Sequence, residues 1–513
     1  MFIYKVKTYL LCGTLLLCAA SVTSCKKMVE ADIYSSLSDG NAFETEDDAI
    51  AAVNAVYGKL KAPYASDSWK YYSGTQLLLG DFTTDMCHSR STSGSMLQLT
   101  QCNWSASNDI FADGWQYTYA MITVANNAIY NINNMETISD DAKHQFLSEL
   151  KFLRALGYMD LTDEYGPVIL VDESNIENPD PLGQPDTTSV DSITNFVLSD
   201  LNYALTYLPT DYSSSDYYES TDVGRATQGA VLALMCRTYI REKQWQKVAD
   251  LTAQIISLGK YSLYDSYSDL FKEATIFTDE NIFSVLSNSS SNGTELKNET
   301  GPMKHQVVTD RWQLWSAAWY FWNTFETEDD RREMFFYDYI GTDSKHYIQA
   351  PDGETSAPSG YYYLPDVAST KFADPTGPDN YLDGNSYPVF RYAEVLLWRA
   401  EALNELNGPN SESIELVNQV KNRSNAILLS TNTDAFNQTS LRDSILQERG
   451  WEFFLEGKRR ADLIRMDRYE EYTNAYLSSI GLTYTVTLSK NKYFPYPQDQ
   501  VDLNPNLSNS GRL

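Results

Sequence analysis

Aromatic side chains set beside polar ones are the chemistry this sequence offers most openly. Sugar rings present apolar C–H faces and a rim of hydroxyls. A site for them needs flat aromatic platforms, with Asp, Asn, Arg or backbone groups for the rim. Two segments supply that mixture. The first runs Trp69-Lys70-Tyr71-Tyr72, then Asp81, Asp85 and Arg90, then Asn103-Trp104. The second runs from Arg311-Trp312-Gln313-Leu314-Trp315 to Trp319-Tyr320-Phe321-Trp322 and holds four of the ten tryptophans. Trp315, Trp319 and Trp322 fall at i, i+4 and i+7, the spacing of a helix face packed on a core. Trp319 and Trp322 are read that way. Trp312 and Trp315 lie nearer the preceding loop, where core and ligand readings compete.

Other chemistries find less support. Two carboxylates suffice for glycoside hydrolysis, but with 69 acidic residues candidate pairs are guaranteed, and no motif singles one out. His88, His144, His305 and His346 are scattered singly without metal-ligand spacing, so they are read as structural or solvent-facing, with no metal and no cofactor implied. Cys87 and Cys102 are close enough in sequence to pair in an oxidising compartment, and buried free thiols fit equally well; with Cys236 they are too few to build a fold on disulfides. The C-terminal run Glu448, Arg449, Glu452, Glu456, Arg459, Asp462, Arg465 is charged but interleaved with Trp451, Phe453, Phe454, Leu455, Leu463 and Ile464. That pattern suits partly buried ion pairs joining helices better than catalysis. Arg391, Glu394, Arg399 and Glu401 are read alike.

These residues need a frame, and the frame reads as helical. Thr45 is an N-cap candidate, with Asp47 and Asp48 in the first turn and apolar residues recurring at helical spacing to Leu60. Further amphipathic stretches cover 114–134, 141–164, 191–207, 225–242, 245–258, 388–407, 411–424 and 440–468. The pair 225–242 and 245–258 shares a layout with 388–407 and 411–424: helix, short break, helix, with small residues such as Gly229, Ala233, Ala393 and Ala400 on the first member. Units of that length suit a tetratricopeptide-like stack. Irregular composition concentrates at 61–110 and 286–388, where long connections are more often functional than idle.

The N-terminus carries Lys5 and Lys7, an apolar run from Leu10 to Ala20, and then Val22-Thr23-Ser24-Cys25. The run is shorter than the ~20 residues a membrane span needs, and the order of features is that of a signal peptide. Residues 1–24 are expected to be cleaved, leaving Cys25 to carry a lipid, 25–42 as a tether and 43–513 as one folded body. The formal charge of −30 repels phosphate backbones at long range, which disfavours nucleic acid as a partner.

Along nearly its whole length the chain resembles the SusD/RagB family. The resemblance rests on Phe43-Glu44-Thr45-Glu46-Asp47-Asp48-Ala49-Ile50, Ala125-Asn126-Asn127-Ala128-Ile129, and Glu149-Leu150-Lys151-Phe152-Leu153-Arg154-Ala155 closing at Tyr165-Gly166-Pro167. Gly224-Arg225-Ala226-Thr227, Glu280-Asn281-Ile282-Phe283 and Asp330-Arg331-Arg332 also fit. In the C-terminal half it rests on Phe390-Arg391-Tyr392-Ala393-Glu394, Glu456-Gly457-Lys458-Arg459-Arg460-Ala461-Asp462-Leu463, Phe494-Pro495-Tyr496-Pro497 and Asn504-Pro505-Asn506. The resemblance implies an all-α fold with tetratricopeptide-like units. It also implies a lipid-anchored, non-catalytic outer-membrane protein that captures glycan and passes it to a SusC-like, TonB-dependent barrel transporter. Peptide capture of the RagB kind is the alternative, followed by a glycoside hydrolase or a helical scaffold that binds only proteins. Because family members build their site from loops in the two aromatic regions, Tyr71, Tyr72, Asp85, Arg90, Trp104, Trp312 and Trp315 are the candidate glycan contacts.

Overall fold

The structure is a computed structural model that describes residues 43–61, 71–177, 183–213, 215–219, 222–290, 293–305, 311–351, 354–373 and 383–512. Cys25, the leader, the tether and the candidate aromatic Trp69 lie outside the described residues.

The frame is a succession of paired helices. Helix α1 (Glu46–Lys59) opens with the capping box expected of Thr45: its hydroxyl accepts the Asp48 N–H, and the Asp48 carboxylate accepts the Thr45 N–H at 2.8 Å. Helices α2 (Asp109–Asn134) and α3 (Asp140–Tyr165) begin at Asn108 and Ser139, whose side chains cap the first turn. Then follow α4 (Val190–Tyr207), α5 (Gln228–Arg241), α6 (Trp245–Ser257), α7 (Leu296–Thr300), α8 (Tyr392–Asn407), α9 (Ser411–Arg423), α10 (Gln438–Glu452), α11 (Arg459–Arg465) and α12 (Tyr469–Ser479). Apart from the short α7, the helices from α2 to α9 pack each on the next, α6 lying against α8 across the long intervening sequence. The two pairs with matching layout are therefore neighbours in one stack. A single apolar cluster runs through it from Ala49 to Leu507.

Short antiparallel pairs decorate the stack: β1 (Cys87–Ser89) with β3 (Trp315–Ala317), β2 (Asn281–Val285) with β9 (Tyr387–Arg391), and β4 (Phe335–Phe336) with β8 (Ala368–Ser369). A small sheet of order β5 (Tyr339–Ile340), β6 (His346–Gln349), β7 (Tyr361–Leu364) has its own cluster of Met303, Tyr339, Tyr347 and Leu364.

Two helical expectations need correction. The stretch 388–407 starts as strand β9 and becomes helical only at Tyr392, because Pro388 lacks a backbone N–H and the Tyr387–Arg391 run pairs with β2. The stretch 440–468 is broken between Glu452 and Arg459. Leu455 and Gly457 take positive φ there, at 59° and 70°. At Gly80 a Cβ would stand 2.0 Å from the Gly457 carbonyl oxygen, so the break lets two backbones touch.

Buried charge closes the stack. Arg391 donates to Glu280 (2.6 Å), Glu452 (2.8 Å) and Glu456 (2.7 and 2.9 Å), with every side chain inaccessible to solvent. Arg331 reaches Glu448 at 2.8 Å and Glu452 at 3.0 Å. Arg449 bridges Glu394 and Asp462. The run read as structural ion pairs is that. Burial opposes these charges, but the surrounding guanidiniums win: Glu452 and Glu456 are held below the usual carboxylate range, and Asp462 sits at about 2. A carboxylate so depressed adds stability that is complete above its unfolded value and lost as pH falls through its folded one. For Asp462 that window runs from 3.8 down to about 2. The denaturant midpoint is therefore expected to drop across this window. Arg391→Ala, which strands buried carboxylates, should cost about 3–5 kcal/mol at neutral pH in a urea titration.

Candidate functional site

The first aromatic segment is folded inward. Tyr71 and Tyr72 are buried and donate their hydroxyls to the same Asp160 oxygen at 3.0 and 2.5 Å, while Arg237 faces the other oxygen at 2.8 Å. Asp85 is 2% exposed and takes a bidentate pair from Arg459 at 2.8 and 2.9 Å. Trp104 packs edge-on against Phe111 and Phe494, with ring centroids 5.8 and 5.2 Å away. These four candidates have no face to offer a ligand. The segment 71–104 is an irregular part of the core, built from a π-helical turn over Tyr71–Gln76 and short helices at Leu77–Asp81 and Gly94–Thr100.

Trp315 is also withdrawn. It lies in β3 opposite Ser89, 2% exposed, with its ring 5.9 Å from Phe82. Its register with Trp319 and Trp322 is not that of one helix, since Trp315 is on a strand and only Trp319–Trp322 is helical. Trp322 is buried, as read from its spacing, and Trp319 is half-buried, its indole N–H donating to the Leu364 carbonyl.

Arg90 and Trp312 remain, and the structure brings them together. Trp312 is 38% exposed, while its backbone is clamped on both sides. Its N–H donates to the Asn298 carbonyl at the end of α7 at 2.9 Å, and its carbonyl accepts from the Arg90 guanidinium at 2.5 Å. The Arg90 N–H donates to Leu314 at 3.1 Å, and its guanidinium also reaches the Met303 sulfur. Gln313, at φ 48°, ties the same turn to Met303 and to the Asp366 carbonyl. The indole is thus presented on a rigid mount.

Met303 joins this mount to the small sheet, where Tyr339 donates its hydroxyl to the Met303 carbonyl and stacks on Tyr347 with centroids 5.0 Å apart. Two exposed rings on that lobe were missed from the sequence. Tyr361 (42% exposed) lies 5.3 Å from the His346 ring, and Tyr337 (36% exposed) lies 4.4 Å from Trp322, over which Arg332 also sits. The readable signal was the run Tyr361-Tyr362-Tyr363 after Gly360, a short strand in which alternate rings face opposite sides.

The remaining chemistry-bearing residues are structural. His88 pairs with Asp366 at 2.6 Å, His144 stacks on Tyr207 at 4.1 Å, His305 meets Phe336 and Tyr339, and His346 bonds Asp338. Cys87, Cys102 and Cys236 are buried free thiols, which resolves the open pairing of Cys87 with Cys102; burial pushes the Cys102 thiol up to about 12. Among the described residues no group of acids, histidines or cysteines has the makings of a metal site, and no helix is long and apolar enough to cross a membrane.

Two family models match the sequence. One, described as the SusD family, covers residues 257–510, and the other, described as starch-binding associating with outer membrane, covers 36–240. The chain belongs to the SusD/RagB family. SusD-like protein P25 of Formosa agariphila is 25% identical over 492 residues, spanning 87% of each chain. The starch-binding protein SusD of Bacteroides thetaiotaomicron is 22% identical over 472 residues, spanning 80% of each. A SusD-like carbohydrate-binding protein of Bacteroides fragilis has the same fold, with a TM-score of 0.75 at 21% identity, over 91% of this chain and 99% of that one. Surface glycan-binding protein A of Bacteroides thetaiotaomicron, solved with laminarihexaose, gives a TM-score of 0.70 at 19% identity, over 89% and 97%. The SusD-like, mainly helical fold expected from the sequence is the one observed.

Within this SusD/RagB body, stability separates buried rings from displayed ones. Trp104→Ala opens a cavity between Phe111 and Phe494 and is expected to cost about 3–5 kcal/mol. Trp312→Ala should change the melting temperature little. Differential scanning calorimetry of the two variants checks the distinction, and a Trp104→Ala protein as stable as wild type would show that ring to be displayed after all.

Proposed function

We propose that the protein captures oligo- or polysaccharide without cleaving it, on a platform centred on Trp312 with Arg90 at its rim. Tyr361 and Tyr337 extend the aromatic surface of the same lobe. The observation that carries this reading is the exposed Trp312 indole, locked through its backbone, in a chain whose family is described as starch-binding. A ring held in place before the ligand arrives loses little freedom on stacking against a sugar face. Two relatives point the same way: one bears the name starch-binding protein, and one was solved with laminarihexaose.

The same family membership supports an outer-membrane setting and a SusC-like barrel as the receiver of the captured glycan. The Val22-Thr23-Ser24-Cys25 sequence supports a lipid on Cys25 as the anchor. A single acyl chain holds a protein only marginally, so firm anchoring requires the multiple chains of a lipoprotein.

Isothermal calorimetry against starch, laminarin and a panel of plant and host polysaccharides is expected to find at least one binder. Trp312→Ala and Tyr361→Ala should each weaken it about tenfold or more, as loss of a stacked ring does, with unchanged melting temperature. Absence of any polysaccharide binder would favour peptide capture, and release of reducing ends from a bound polymer would make the protein a hydrolase. For the anchor, Cys25→Ala expressed in a Bacteroides host should move the protein from the membrane fraction to the soluble one and abolish palmitate labelling; retention of label would place the lipid elsewhere.

A further inference from the structure

A cavity of about 490 Å³ lies well away from Trp312 in the sequence elements that line it, between the N-terminal helices and the charged C-terminal turn. Helix α3 contributes Glu164 to its wall, α5 contributes Arg237, and α10 contributes Arg449. Most of the charged groups there are occupied with one another, but several buried atoms are not, those of Glu164 and Arg449 among them. Glu164, 6% exposed, makes no well-formed hydrogen bond through either oxygen; its polar neighbour is the Gln76 amide, which also donates to Tyr71. Arg449 uses Nη2 on Glu394 and Nε on Asp462, and its Nη1 is left without an acceptor. Buried polar groups are rarely left unsatisfied without a functional reason or a bound molecule.

The lining also limits what the molecule can be. Eight cationic and nine acidic side chains border the cavity. Burial, with the negative charge of Asp160 second, pushes the Glu164 carboxyl well above the usual carboxylate range. Nearly equal numbers of the two signs give little net attraction for an ion. Aromatic rings share that wall with the hydrogen-bonding groups, half-buried Tyr493 among them, with Tyr387, Phe390, Trp398 and Phe494. The volume lies in the range of small-molecule sites and is far below what a polysaccharide needs.

We propose that this cavity is a second binding site, for an uncharged mono- or disaccharide, with Glu164 and Arg449 as its polar anchors. The site does not depend on the Trp312 platform and shares no residue with it. A carboxyl group accepts hydrogen bonds through its oxygens, so Glu164 matches a pair of sugar hydroxyls, while Arg449 Nη1 donates to a third oxygen. Half-buried Val190 and Leu488 stand on the lining, with the exposed Lys243–Asp467 pair marking the solvent side. A small sugar could thus enter without disturbing the ion pairs behind it.

Calorimetric titration of the mature protein with glucose, galactose, maltose, cellobiose and laminaribiose tests the proposal. At least one is expected to bind in the millimolar range or tighter. Glu164→Met, which removes the polar anchor at similar size, and Leu488→Trp, which fills the approach, should each weaken that sugar about tenfold or more. Trp312→Ala should leave it unchanged while weakening polysaccharide binding about tenfold or more. Melting temperatures confirm that both cavity variants fold, and if one does not, the other carries the test. The proposal is overturned if none of the five sugars binds, which makes the cavity a water-filled cleft. It is equally overturned if small-sugar binding is lost in Trp312→Ala but kept in Glu164→Met and Leu488→Trp, which places the sugar on the platform. Small-sugar binding without any polysaccharide binding would sustain this site and sink the platform.

Discussion

The buried cluster around Arg391 and Glu452 is the interaction on which the arrangement depends. Glu452 accepts from Arg391, Arg331 and Arg423, so it joins strand β9, the turn before β4 and helix α9 to the end of α10. Glu456 adds Lys371 from the segment after β8. The display lobe at 311–369 hangs from this cluster through Arg331 and Lys371, one at each side of its sheet in sequence. Charges this deeply buried would be destabilising if any partner were missing. Their value here is positional: a fork-shaped guanidinium accepts only one geometry of carboxylates, so the lobe has one orientation on the helical stack.

A second set of contacts fixes the N-terminal irregular segment against the same C-terminal turn. Asp81 accepts the Gly457 and Arg459 N–H groups at 2.9 and 3.1 Å, and Asp85 takes the Arg459 side chain. Burial raises Asp81 to about 7 despite those donors. Close approach of the Gly80 and Gly457 backbones makes this seam possible. Strand β1 then leads from the seam to β3, and Arg90, one residue past β1, arrives under Trp312. The position of the displayed indole is thus set by contacts that begin in the core of the opposite half of the chain.

The helical frame was legible because it depends on local signals: Thr45 is a cap by type, and the apolar spacing that follows is the buried face, while the Asn108 cap, which starts its helix at Asp109 and not at 114, was passed over. The ion-pair reading of 448–465 succeeded for a related reason, since charges interleaved with Trp451, Phe453 and Leu463 cannot all reach water. The binding residues were legible only in part. Tyr71, Tyr72, Asp85 and Trp104 have the right types, and their lack of periodicity suggested a loop. Their burial is decided by partners far away in sequence, Asp160, Arg459 and Phe494. Periodicity also misled at Trp315, where a strand pairing with Ser89 replaced the helix that its spacing to Trp319 implied. Tyr361 and Tyr337 escaped notice because a displayed ring and a core ring look alike until the neighbours that cover them are known.

The same long-range pairing bears on what the surface around Trp312 can do. Glycoside cleavage needs one carboxyl held protonated and another held ionised, both flanking an accessible bond. Glu452, Glu456 and Asp462, all held below the usual carboxylate range, are each saturated by guanidinium or ammonium donors and are at most 3% exposed. Asp81 and Glu299, raised to about 7 and about 8, are buried to the same degree. A polymer lying on Trp312 would meet an indole, a guanidinium engaged with a carbonyl, and tyrosine rings. Stacking and rim hydrogen bonds are the chemistry such a surface performs, and rigid mounting of the ring through its backbone improves that chemistry without supplying any other.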